Sequence, residues 1–138
     1  MLYSVIKPKD ENDFIRVGLV AKNDNNEIML VSETIDRINK SVNCIPYVDV
    51  KEFNAKNIIS EFNNKYGIKI NEVQNYINET SFLDEMCNER LQVNMAGIVN
   101  NNISGVKWSV ADDILISMEV PMSVKQCIEV YNYNSNIN

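Results

Sequence analysis

The sequence contains no histidine among its 138 residues. That removes every mechanism in which an imidazole activates a serine or cysteine nucleophile. Cysteine is also scarce. Cys44, Cys87 and Cys127 are an odd set, far apart, with no C-x-x-C. No disulfide framework is expected, a structural zinc site lacks its ligands, and the pattern points to a reducing, cytoplasmic setting. Positive charge is in deficit, with 13 Lys and Arg against 19 Asp and Glu and a net charge of −6. A nucleic-acid polymer is a poor partner for such a chain, because phosphate contacts need a surplus of cations. The crowded basic sets, Lys7, Lys9 and Arg16, and Arg37 and Lys40, each have acids close by. No stretch approaches the ~20 apolar residues of a membrane helix, and the first ten residues lack the apolar core of a signal peptide. No membrane association is expected.

What remains is an ordinary globular composition, 45% hydrophobic and 23% charged. Its length predicts one domain over residues 1–138, without internal repeats or linkers. Residues 2–6 read as a short edge strand and 8–13 as loop. Residues 14–21 (F-I-R-V-G-L-V-A) are rich in β-branched side chains and predict a buried strand. The turn chemistry of K-N-D-N-N-E joins them to a second strand over 28–32, making a hairpin. Residues 33–43 read as a loop or a weak helical turn, and 44–50 as a third strand.

The clearest helix comes next. Ala55, Ile58, Ile59, Phe62 and Tyr66 recur at i, i+3, i+4, i+7 and i+11, one apolar stripe. Asn54 stands ready as its N-cap and Gly67 as the residue that ends it. Further on, strands are expected over 73–82, 90–99 and 106–110, the last with the only tryptophan, Trp108. Residues 84–89 and 100–105 read as turns. A short helical piece, A-D-D-I-L-I-S, precedes a last helix opened by Pro121 and Ser123, with a polar, frayed tail from Asn132. Strands, helix, strands, helix in this order predict an α+β fold, a sandwich around a mixed sheet.

The layout, and the stretch from Pro46 to Ile68 within it, resembles a Nudix (MutT-like) domain in eroded form. The Nudix signature is G-x5-E-x7-R-E-U-x-E-E-x-G-U, with U a bulky apolar residue. Laid on this sequence without gaps, it matches at Glu52, Glu61, Phe62, Gly67 and Ile68. Pro46 falls on the first glycine and Ser60 on the arginine, while Asn64 and Lys65 fall on the paired glutamates. Asp49 lies where many members carry another acid. The hairpin upstream, the Trp108 strand followed by D-D-I-L, and Pro121 before a terminal helix extend the likeness over nearly the whole chain. The resemblance implies an α/β/α sandwich with a central mixed β-sheet. It also implies a family activity: hydrolysis of nucleoside diphosphate derivatives with Mg2+ or Mn2+, in which carboxylates on one helix side hold hard cations.

The departures weaken that activity. The three helix glutamates of the signature supply about −3 of charge, whereas Glu61, Asn64 and Lys65 sum to zero. An ammonium ~5 Å from a divalent ion costs roughly 6–7 kcal/mol at an effective dielectric of ~20. The first expectation is therefore a catalytically impaired Nudix-fold module that needs no cofactor. It would bind a nucleotide-like small molecule or a protein partner, a second copy of the chain included. Lys65, Asn64, Asp49 and Tyr47 are its ligand-binding candidates, with Lys65 supplying the metal's positive charge. The alternative is an active hydrolase using Mg2+ or Mn2+ at a non-standard site, with Glu61 and Glu52 as both catalytic and metal-binding residues. Glu85 or Glu89 would then be candidates for a distant acid.

Each candidate has an ordinary reading as well. Glu61 and Lys65, at i and i+4, suit a surface ion pair worth a few tenths of a kcal/mol. Lys65 also suits the helix dipole. Glu52 and Asp49 suit surface acids, Glu85 and Glu89 a solvated turn, and Arg37 and Lys40 solubility rather than a ligand phosphate. Trp108 suits the core better than a base-stacking platform.

Overall fold

A computed structural model describes residues 14–35, 40–83, 86–99 and 105–137. The strand expected over 2–6, the loop over 8–13, Arg37 and Glu85, and most of the turn over 100–105 lie outside the described residues. Strands β1 (Ile15–Lys22) and β2 (Ile28–Ile35) form the expected hairpin, closed around Asn26, whose φ is +61°. The side chain of Asn23 holds this turn by accepting from the backbone N–H groups of Asn25 and Glu27, each at 2.9 Å.

Beyond Ser32 the structure departs from the reading of a loop. β2 runs on to Ile35 and pairs antiparallel with β3 (Lys40–Cys44), so Glu33 faces Val42 and Ser32 faces Asn43. The strand expected over 44–50 is in fact divided. Chain direction changes at Ile45 and Pro46, and β4 (Tyr47–Val50) pairs with β1 instead. Helix α1 (Ala55–Tyr66) has the expected bounds. The side chain of Asn54 accepts from the N–H of Asn57 at 2.8 Å, and Gly67, at φ +70°, sends its N–H back to the carbonyl of Asn63. A left-handed residue of this kind is where glycine is needed.

After the helix come β5 (Ile70–Leu83) and β6 (Glu89–Val99), a long antiparallel pair with register shifts between Ile70 and Asn78. Then follow β7 (Lys107–Ser109), α2 (Ala111–Ile116) and α3 (Met122–Ile137). The polar tail expected to fray from Asn132 continues the last helix instead.

The sheet order is β3-β2-β1-β6-β5, with β4 also on β1 and β7 also on β2. β1 and β6 run parallel and the other pairs antiparallel, so the sheet is mixed. Alternation along the strands sends Val17, Leu19, Val93 and Met95 to one face, against Ile58 and Phe62 of α1. It sends Val20, Ile28, Leu30 and Ala96 to the other, against Ile114 of α2 and Val124, Cys127 and Ile128 of α3. The result is an α/β/α sandwich. No described helix is long and apolar enough to cross a membrane.

Candidate functional site

Two local features deliver the candidate residues to one place. The Ile45–Pro46 break starts β4 at Tyr47, beside Gly18 of β1, and the C-terminal turn of α1 ends on Lys65 and Tyr66. Tyr66 clamps the start of β4. Its hydroxyl accepts from the N–H of Tyr47 at 3.1 Å and donates to the carbonyl of Tyr47 at 3.0 Å. Lys65 Nζ donates to the same carbonyl at 2.9 Å. The ammonium also lies 3.9 Å from the centroid of the Tyr47 ring and 5.0 Å from that of Tyr66. Desolvation lowers the Lys65 pKa, while Glu33 and Asp49 oppose that shift and Arg16 adds to it.

Tyr47 is held from a second cation as well. The Arg16 guanidinium lies 4.3 Å from the Tyr47 centroid and 3.9 Å from that of Phe82. Asp49, opposite Arg16 in the β1–β4 register, fixes the guanidinium edge-on, with Nε to Oδ1 at 2.9 Å and Nη2 to Oδ2 at 3.3 Å. A stacked guanidinium keeps its in-plane donors for a carboxylate, which is why both contacts coexist. Burial raises the Tyr47 pKa, and Glu33 adds to the shift both by its charge and by a side-chain hydrogen bond. Burial likewise pushes Tyr66 up to about 12.

Beyond Gly18 the same sheet face is polar. Asn94 is fully buried, yet its carboxamide is spent on three neighbours. It donates to Asn78 Oδ1 at 3.0 Å and Thr80 Oγ1 at 3.1 Å, and accepts from Gln92 Nε2 at 2.8 Å. Gly18 makes the room. A Cβ there would stand 2.4 Å from both Asn94 Oδ1 and Gln92 Nε2.

The structure thus brings Tyr47, Asp49 and Lys65 together and leaves the other candidates apart. Glu61 and Asn64 are exposed on α1 with no side-chain partner among the described residues, and Glu52 is exposed just before the helix. The expected Glu61–Lys65 ion pair is replaced by the bond from Lys65 to Tyr47, because the carbonyl and ring at the start of β4 lie within the ammonium's reach. Glu89 and Lys40 are exposed strand residues, and Trp108 packs partly buried against the α1-side core. Among the described residues, no group of three or more His, Cys, Asp or Glu side chains could hold a metal ion. The donor set at the end of α1 does not fit Mg2+ or Mn2+, since an ammonium lies on the carbonyl oxygen that a hard cation would want.

Sequence reading missed Glu33, Phe82, Gln92 and Asn94, and took Arg16 only as part of a basic set and Tyr66 only as part of an apolar stripe. Arg16 and Asp49 did carry a signal, each flanked by apolar residues in V-x-V or I-x-V alternation. The Asn94 cluster carried none, because Asn78-x-Thr80 and Gln92-x-Asn94 read as the solvent-facing residues of two strands until the β5–β6 register sets them side by side.

An α/β/α sandwich around a mixed sheet, with a short strand leading through a loop into a capped helix, is a recognised architecture. The fold is that of Nudix hydrolases and MutT proteins. The chain is similar in structure to the MutT protein of Methanosarcina mazei Go1, with a TM-score of 0.73 and 16% identity over 95% of this chain and 98% of that one. It is similar to the E. coli ORF135 protein, with a TM-score of 0.68 and 12% identity over 91% and 92%. A Nudix hydrolase of Nitrosomonas europaea gives 0.66 and 18% over 89% and 90%. No protein-family model matches the sequence, and no curated protein matches it.

Proposed function

We propose that this Nudix-fold chain binds a nucleotide-type small molecule without hydrolysing it. The observation that carries the reading is the end of α1, where the positions of three signature carboxylates hold Glu61, Asn64 and Lys65. The last of them turns its ammonium onto the Tyr47 carbonyl at 2.9 Å. Hydrolysis of a diphosphate with Mg2+ or Mn2+ needs concentrated negative charge at that point, and the chain supplies none in excess.

The ligand class is supported by the Asn94 cluster. Asn94 occupies Asn78 Oδ1, Thr80 Oγ1 and Gln92 Nε2, which leaves the amide N–H groups of Asn78, the hydroxyl hydrogen of Thr80 and the carbonyl of Gln92 to serve a ligand. These three residues are half-buried, and two donors beside an acceptor are the chemistry that would recognise the edge of a heterocyclic base.

Calorimetry with nucleosides and nucleotides, beside turnover assays on nucleoside diphosphate derivatives with Mg2+ or Mn2+, tests the reading. Saturable binding without turnover is expected, and Gln92→Ala weakens binding about tenfold by removing one buried polar contact. Metal-dependent turnover of any nucleoside diphosphate derivative, lost in Glu61→Gln, overturns it in favour of an active hydrolase built on Glu61 and Glu52.

A further inference from the structure

The surroundings of the Lys65 ammonium are themselves those of a cation site. It touches the Tyr47 carbonyl oxygen at 2.9 Å and lies over the ring faces of Tyr47 and Tyr66. The Tyr66 hydroxyl bonds that same carbonyl at 3.0 Å. The carboxylates of Glu33 and Asp49, from β2 and β4, both act on the ammonium so as to keep it charged. A carbonyl oxygen and carboxylates attract a hard cation, and the ring faces attract an ammonium. Three chain segments, β2, β4 and the last turn of α1, therefore converge on the ammonium, while the Arg16 guanidinium of β1, on the same Tyr47 ring, opposes it.

We infer that Lys65 is a tethered cation: its ammonium joins the start of β4 to the end of α1 in the place of a divalent ion, and shuts that ion out by charge and by occupancy. The inference rests on the reading of a chain that does not hydrolyse, and it explains how the loop and helix stay in register without metal. A divalent ion joins two segments only while it is bound, at a strength set by its concentration. A lysine does so at every concentration. The junction is thus independent of metal in the native chain, and it becomes dependent on metal once the ammonium is replaced by a carboxylate.

Thermal unfolding of three proteins, each in EDTA and in Mn2+, tests this. Wild type has the same Tm in both. Lys65→Met, which keeps the stem and loses the charge, unfolds about 4 °C lower in both. Lys65→Glu unfolds lower in EDTA and recovers at least half the loss in Mn2+, and the paramagnetic ion broadens the Tyr47 and Tyr66 signals in NMR spectra. If Lys65→Glu does not fold, Lys65→Asp, which also supplies a carboxylate, takes its place with the same expected recovery. A Lys65→Met protein as stable as wild type overturns the inference. So does a folded Lys65→Glu protein indifferent to Mn2+, and in that case the reading of lost hydrolysis still stands. Mn2+-dependent turnover by the wild type overturns that reading whatever the variants do.

Discussion

Gly18 shows how much of the candidate site depends on a single absent side chain. The residue lies in β1 with ordinary strand geometry, so its role is space rather than backbone freedom. A methyl group at this point meets two carboxamide atoms at 2.4 Å, and both belong to a cluster that is already hydrogen-bonded. Moving Asn94 away leaves a buried polar group without partners, and moving Gln92 breaks its bond to Asn94. Gly18→Ala is therefore expected to destabilise the protein by about 1–3 kcal/mol, the range for overpacking combined with a lost buried hydrogen bond. Urea unfolding checks this. The companion variant Asn94→Leu removes the polar hub, and Gly18→Ala in that background costs less than in wild type, since Asn94 Oδ1 is gone and Gln92 Nε2, no longer bonded to it, can move aside. Equal cost in both backgrounds refutes the role given to Gly18. None of this was visible beforehand: Gly18 reads as one small residue in a strand, and its partners Gln92 and Asn94 are more than seventy positions away.

At the scale of elements, α1 is the part the sequence specifies most completely. Its stripe, its cap and its terminating glycine all point to the same bounds, and the structure has them. The cap predicts a cost that does not depend on the core. Asn54→Ala removes the bond to the Asn57 N–H and is expected to cost about 1 kcal/mol, while Asn54→Asp is nearly neutral. Circular dichroism during thermal unfolding separates the two, and an alanine variant with wild-type Tm contradicts the assignment. The β2–β3 ribbon was hidden because S-E-T-I is too polar to show a buried, alternating face. Its loss from the reading also hid Glu33, which acts on Tyr47, Tyr66 and Lys65 only because β2 extends past Ser32. The strand expected over 44–50 ran β4 back to Cys44, the last residue of β3, because Ile45 and Pro46 keep the apolar pattern going through the break. Local pattern thus revealed the elements that bury a periodic face. It could not reveal those defined by which partner strand they choose.

For the whole molecule, the buried phenols and thiols make a joint prediction about alkali. Burial raises Cys44 from an ordinary 9.0 to about 11 and Cys127 from 9.0 to about 12. It raises Tyr66 from 10.0 to about 12, and Tyr47 and Tyr76 in the same direction. Each group has a folded pKa above its unfolded one, so the folded chain holds protons that the unfolded chain has released. Its contribution to stability is complete below the unfolded value and is lost as pH rises through the folded value. Lys65 works the other way: its folded pKa is lowered, so its cost is relieved as pH approaches 10.5. One opposing group does not offset five. The Tm is expected to hold steady around neutrality, to begin falling above the thiol value of 9.0, and to fall most steeply between the phenol value of 10.0 and about 12. Tyr66→Phe separates the phenol clamp from the rest. The variant loses both bonds to Tyr47 and so unfolds at a lower temperature at neutral pH. Between pH 10 and 12 its Tm declines less steeply than wild type, because the group whose ionisation breaks the clamp is gone. An alkaline slope identical to wild type would mean that the clamp on Tyr47 is not what alkali releases, and that the thiols of Cys44 and Cys127 carry the transition.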